Sequence, residues 1–107
     1  MPLVGRVRFA RRSAGCLTGF HRYTMLYDRS VRPERIAWYL DGVNIHNVRA
    51  NQVPASTWND AVHHGFFIIL NVAIGGDFPA AFGGGPTAAT RSGVPMLVDY
   101  VAVWTSP

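Results

Sequence analysis

Six carboxylates, four histidines and one cysteine are the side chains of this 107-residue chain that could carry acid–base, metal or redox chemistry. The acids are Asp28, Glu34, Asp41, Asp60, Asp77 and Asp99, and no two stand two or four residues apart. Since side chains alternate along a strand, no single strand presents two acids on one face, as a paired acid and base would require. Any pair must come from separate loops, and Asp41 and Asp99 read more simply as a turn residue and a ladder residue. Among the histidines, His63 and His64 are adjacent and would point opposite ways on a strand, and His21 is distant in sequence. Without a spaced third ligand they read as loop or core histidines rather than a metal set. Cys16 has no partner for an intrachain disulfide, a zinc knuckle or a CxxC redox pair.

Charge excludes little more. The formal +4 comes from ten basic residues, all arginine, with Arg6, Arg8, Arg11 and Arg12 in the first dozen positions. No interleaving of aromatic and basic residues follows, so the arm reads as solvated and no nucleic-acid partner is expected. Apolar runs fall short of the roughly 18 residues that span a bilayer, so no membrane partner is expected. Arg11, Arg12 and Ser13 interrupt any signal-peptide apolar run, so no convincing export signal is read.

The stretch that must position any site is 64–78, HGFFIILNVAIGGDF. From Phe66 to Ile74 only Asn71 is polar, which suits a central strand buried on both faces. A buried amide needs partners, so Asn71 is a structural bond-maker or a ligand contact. Gly75 and Gly76 end the run where the backbone can turn or be closely approached.

The other elements follow from local patterning. Residues 1–18 form a poorly ordered basic lead-in. Residues 20–28 alternate as a half-buried strand, and 28–34 are a loop around Pro33. RIAWYL and VNIHNV flank Asp41-Gly42, a hairpin signal, with Trp38 directed to the core. PASTWNDAVHH reads as a loop with one helical turn, capped by Ser56 or Thr57 and anchored by Trp58. A glycine- and proline-rich surface loop, 77–95, precedes a last strand over 96–104. Four or five strands with no helix of any length imply an all-β, antiparallel β-sandwich with too few strands to close, leaving uncovered sheet faces through which the chain could self-associate.

Taken in order, Gly19-Phe20-His21-x-Tyr23, Trp38-Tyr39-Leu40-Asp41-Gly42, Phe66 to Gly76 and Val98-Asp99-Tyr100-Val101 resemble the C-terminal half of a family 16 glycoside hydrolase, of the bacterial laminarinase type (endo-1,3-β-glucanase). The resemblance runs from about Cys16 to Trp104, so 19–105 is assigned to that half-domain. It implies a partial concanavalin-like jelly roll, a β-glucan partner, an extracellular setting and no required cofactor. It places Asn71, Gly75, Gly76 and Phe78 at the substrate cleft, Phe78 standing where relatives often carry tryptophan. Trp58 reads as a further sugar platform on its own chemistry, an aromatic face carried in a loop. The resemblance gives Asp99 a share in a structural calcium whose other ligands come from the N-terminal half of the family domain. The family's Glu-x-Asp-x-x-Glu strand is not in this sequence. Hydrolysis needs two carboxyl groups about 5 to 5.5 Å apart for retention, or about 6.5 to 9.5 Å for inversion. The chain alone is therefore expected to be inactive, a glycoside hydrolase fragment from a truncated or frameshifted reading frame. The alternative is a non-catalytic, lectin-like β-glucan module. Leu26 and Ala102 also depart from the family pattern, which more often has glutamate and arginine there.

Overall fold

The structure, a computed structural model, describes residues 2–10 and 18–105. It holds five strands in one antiparallel sheet: β1 (Pro2–Ala10), β2 (Thr18–Asp28), β3 (Arg35–Leu40), β4 (Val43–Arg49) and β5 (Met96–Val103), in the order β4-β3-β2-β1-β5. Two helices lie between β4 and β5: α1 (Ala55–Val62) and the short α2 (Asp77–Ala81). The fold is mostly antiparallel strand, as the patterning implies, and it matches part of a jelly roll.

The β3–β4 hairpin forms where Asp41-Gly42 predicts it, with φ of 50° at Asp41 and 86° at Gly42. Positive φ at both central residues gives a turn whose twist matches the flanking strands. Trp38 lies opposite His46, and their rings sit 5.4 Å apart. It is half-buried against that histidine rather than deep in a core.

Three expectations need correction. Residues 2–10 are not a loose lead-in: β1 pairs with β2 on one side and β5 on the other. The arginines at 6 and 8 alternate with Val7 and Phe9, a period-two pattern that the count of basic residues obscures. Met1 and residues 11–17 of that expected lead-in lie outside the described residues, and Thr18 begins β2.

Residues 55–62 are a helix of two turns rather than a loop with one. Trp58 and Val62, four apart, give it one apolar face, and both are buried. Its N-cap is Pro54, with no side-chain cap, so neither Ser56 nor Thr57 serves.

Residues 65–76 form neither helix nor strand and join no sheet. Phe66, Phe67, Ile68, Ile69, Leu70, Val72 and Ile74 are all exposed, not interior. The composition suits burial on both faces, but burial needs a strand on each edge and a layer on each side, and the described residues provide neither.

What core there is sits under α1. Tyr27, Trp58 and Val62 pack together, flanked by Ile36, Val48, Ala50 and Val53. The helix thus covers the part of the sheet where β2, β3 and β4 run side by side. The Tyr27 and Trp58 rings meet edge to face at 6.3 Å.

Candidate functional site

Three groups of polar or aromatic side chains stand out, and each takes its position from a different element. The first centres on Glu34, at the entry to β3. Its Oε2 accepts hydrogen bonds from the Tyr27 hydroxyl at 2.7 Å, Trp58 Nε1 at 3.0 Å and His63 Nε2 at 2.9 Å. The donors come from β2, from α1 and from the residue that ends α1. The Trp58 and His63 bonds, followed by that of Tyr27, pull the Glu34 carboxyl down to about 2. Burial, reinforced by the bond to Glu34, pushes the Tyr27 phenol up to about 12. A cavity of about 240 Å³ adjoins the cluster, lined by Arg32, Pro33, Ala50, Ala55 and Asn59 among others.

This arrangement is a clamp rather than an acid–base centre. A general acid needs its carboxyl raised toward the working pH, and Glu34 is moved the other way. A nucleophilic oxygen needs a free lone pair toward the substrate, and Oε2 already accepts three bonds. Trp58 is consumed in the same cluster. At 5% exposure it has no free face to offer a sugar ring, so its expected role as a sugar platform is corrected to that of a core anchor.

The second group joins β2 to the hairpin turn. His21 Nδ1 donates to Asp41 Oδ2 at 2.6 Å, and the Arg22 backbone N–H donates to Asp41 Oδ1 at 2.9 Å. The His21 bond, then that of Arg22, lowers the Asp41 carboxyl below its ordinary range. Asp41 therefore works as the turn residue that its Asp-Gly setting implies. His21 Nε2 is buried without a partner. The three histidines weighed as a metal set go to three different acceptors, Asp41, Glu34 and the Gly65 carbonyl.

A further acid is tied down in the same way. Asp28 accepts from the Ser30 hydroxyl and backbone N–H and lies 3.3 Å from Arg35, and the Ser30 bonds hold its carboxyl low. Asp28, Glu34 and Asp41 are thus all engaged by hydrogen bonds that stabilise the ionised form. Asp60, Asp77 and Asp99 lie on α1, α2 and β5.

Asp99 occupies the place where β5 slips register against β1: Arg6 faces Tyr100 and Val7 faces Val98, leaving Asp99 as the extra residue. Among the described residues no three potential metal ligands converge anywhere. Calcium takes about 6 to 8 oxygen ligands, so the donors described here do not by themselves fit that ion.

The third group is the rim at the end of the unpaired segment. Asn71 is exposed on that segment. Gly75 and Gly76 adopt φ of 77° and 109°, and a Cβ at Gly75 would stand 2.9 Å from Pro86 Cδ. The glycine pair is therefore required by a left-handed turn pressed against the following loop. Immediately after it α2 carries Phe78, whose ring lies 5.0 Å from that of Phe82, and both are more than three-quarters exposed. Open aromatic faces can stack on a pyranose ring, and an exposed amide can hydrogen-bond sugar hydroxyls. Of the site residues expected from sequence, Asn71, Gly75, Gly76 and Phe78 thus lie along one continuous stretch, whereas Trp58 and Asp99 belong to other elements.

Sequence reasoning missed the Glu34 clamp. Its donors lie 7, 24 and 29 residues from the carboxylate, and no local pattern joins them. The only signal was a glutamate beside a proline ahead of a strand, which reads as an ordinary solvated loop acid.

No protein-family model matches the chain, and no curated protein does. Among solved structures, the crystal structure of an endo-1,3-β-glucanase from Streptomyces sioyaensis is similar, with 60% sequence identity and a TM-score of 0.76. The match covers 84% of this chain and 32% of that one, so this chain spans about a third of that glucanase's length.

Proposed function

We propose that this chain, which belongs by sequence and fold with the laminarinase-type endo-1,3-β-glucanases of glycoside hydrolase family 16, is a C-terminal fragment that supplies the sugar-binding rim of such an enzyme but not its reacting acids. The observation that carries this reading is the 60% identity to the Streptomyces sioyaensis endo-1,3-β-glucanase over 84% of the chain. The substrate class is then β-1,3-glucan or mixed-linkage β-glucan, met outside the cell. Asn71 would hydrogen-bond sugar hydroxyls, Phe78 would stack on a ring, and Gly75-Gly76 would let the glucan approach the backbone.

Bond cleavage needs two carboxyl groups facing across the scissile bond, one of them protonated. Asp28, Glu34 and Asp41 are held ionised by hydrogen bonds, and the other three acids sit on separate elements. The chain by itself is thus a glucan-binding piece rather than a hydrolase. The second reading is a non-catalytic β-glucan module. Both readings predict sugar binding without hydrolysis by the isolated chain.

The test is a titration of the 107-residue chain with laminari-oligosaccharides, followed by protein fluorescence, beside an assay for new reducing ends from laminarin. Saturable binding with no release above buffer is the expected result. Release of reducing ends would refute the placement of the acids outside the chain. An unchanged spectrum at millimolar sugar would refute the rim.

A further inference from the structure

The cavity beside Glu34 is lined by polar groups that the clamp leaves over. Glu34 Oε2 is occupied by Tyr27, Trp58 and His63. Its Oε1 stands 3.7 Å from Arg29 Nε, beyond hydrogen-bond reach, and accepts no hydrogen bond from any described residue. The Arg32 guanidinium donates through Nη1 to the Arg29 and Val31 carbonyls at 2.7 and 2.9 Å, and its remaining N–H groups stay open to a ligand. On α1 the exposed Asn59 amide has no side-chain hydrogen bond among the described residues. Arg32, Glu34 and Asn59 all line the cavity, and Pro33, Ala50 and Ala55 supply apolar wall between them.

These groups select a ligand by elimination. An anion would satisfy Arg32 but be repelled by Glu34, which its three donors hold ionised. A cation would meet the opposite difficulty at Arg29 and Arg32. An apolar ligand would cover a carboxylate oxygen and a guanidinium edge without giving either a partner. A hydroxyl both donates and accepts, so neighbouring hydroxyls of one sugar ring can donate to Glu34 Oε1 and accept from Arg32 and Asn59. The C–H face of the ring then packs on Pro33, Ala50 and Ala55. At about 240 Å³ the cavity is smaller than the roughly 300 to 1,000 Å³ of sites for drug-sized ligands, which suits one ring. We infer that this cavity is a carbohydrate site that holds a single hexopyranose unit of a β-glucan through Arg32, Glu34 and Asn59. The choice of sugar rests on the glucan reading, but the site shares no residue with the rim at Asn71 to Phe78. Among the described residues no second carboxylate lines the cavity, so the sugar is held without being cleaved. Two sugar sites on one chain would prolong its stay on a polymer, because occupancy of one keeps the other at high local sugar concentration.

The experiment titrates the 107-residue chain with methyl β-glucoside and follows the three tryptophan indole N–H signals by proton–nitrogen correlation spectroscopy. Trp58 donates to Glu34, so its signal reports on the cavity, and Trp38→Phe and Trp104→Phe identify it by leaving it in place. That signal should move and saturate with a dissociation constant on the order of millimolar, as suits a ligand with few contacts. Asn59→Ala should weaken the response by about 2- to 10-fold, the worth of one hydrogen bond. Ala55→Phe, at an exposed position on α1, fills the cavity and should abolish the response while the sugar-free Trp58 signal stays dispersed. Should that variant lose its fold, Asn59→Ala decides alone. A Trp58 signal unmoved at about 100 mM sugar would overturn the inference, as would a wild-type response in Asn59→Ala or an equal response to glycerol. A fixed Trp58 signal beside laminari-oligosaccharide binding that Phe78→Ala weakens would remove this site and leave the glucan reading standing. A saturating Trp58 signal with no binding sensitive to Phe78 would uphold the site and count against that reading.

Discussion

Replacing Glu34 with alanine removes the acceptor on which three donors converge, and the structure fixes the size of the effect. The Tyr27 hydroxyl and the Trp58 N–H belong to residues 9 and 5% exposed, so they lose their acceptor inside the core. An orphaned buried donor costs about 1 to 3 kcal/mol. The His63 ring is 35% exposed and turns to water, contributing little. The adjoining cavity of about 240 Å³ lets water reach the vacated position, which brings the total to the low end, about 2 to 3 kcal/mol. Glu34→Gln keeps an oxygen acceptor but loses the charge assistance, so it should fall between, at about 1 to 2 kcal/mol. Urea unfolding followed by tryptophan fluorescence is the assay, and Glu34→Ala should lower the midpoint by about 1 to 2 M with an unchanged slope. The pH dependence gives an independent check. The folded-state carboxyl is drawn down to about 2 from an ordinary 4.5, so between those values the unfolded state binds more protons. The contribution of Glu34 is thus complete above about pH 4.5 and is lost as pH falls toward 2, and the Ala variant should lack that component. An Ala variant within about 0.5 kcal/mol of wild type, with the same acid limb, would refute the clamp.

Three further outcomes follow from the geometry. Phe78→Ala should weaken laminari-oligosaccharide binding by about 2- to 10-fold, the worth of one aromatic platform, and Phe78→Trp should tighten it; equal dissociation constants by calorimetry would remove Phe78 from the rim. Gly75→Ala should strain the backbone by about 1 to 2 kcal/mol and push against Pro86, so limited proteolysis of the 83–95 loop should accelerate; an unchanged cleavage rate would show that the loop does not rest on residue 75. Asp41→Asn retains the left-handed preference and an acceptor, so its thermal midpoint should drop less than that of Asp41→Ala, which loses both. Because the Asp41 carboxyl is lowered in the folded state, its contribution is present above its ordinary range and fades as pH falls below it. Equal midpoints for the two variants would show that the His21 and Arg22 bonds contribute nothing.

What could be read directly from the residues was local or compositional. The Asp41-Gly42 hairpin formed as expected because positive φ at two successive residues is a property of the turn itself. β2 was legible from the alternation that the pleat of one strand sets, and β5 from its β-branched and aromatic content. The absence of paired acids was legible because it is a statement about spacing, and the ordered motifs pointed to the glucanase family that the solved structure then matched.

Partnership was not legible, since it depends on which distant segments meet. Residues 2–10 became the strand between β2 and β5 through pairing with residues 8 to 24 and 87 to 100 positions away. Trp58 looked open in a presumed loop and was buried by α1 docking on Tyr27, which also delivered it to Glu34. The segment 66–74 carries the composition of an interior strand, and the sequence determined that much. Whether such a strand is buried is decided by what lies on its edges and faces, and among the described residues those positions are open.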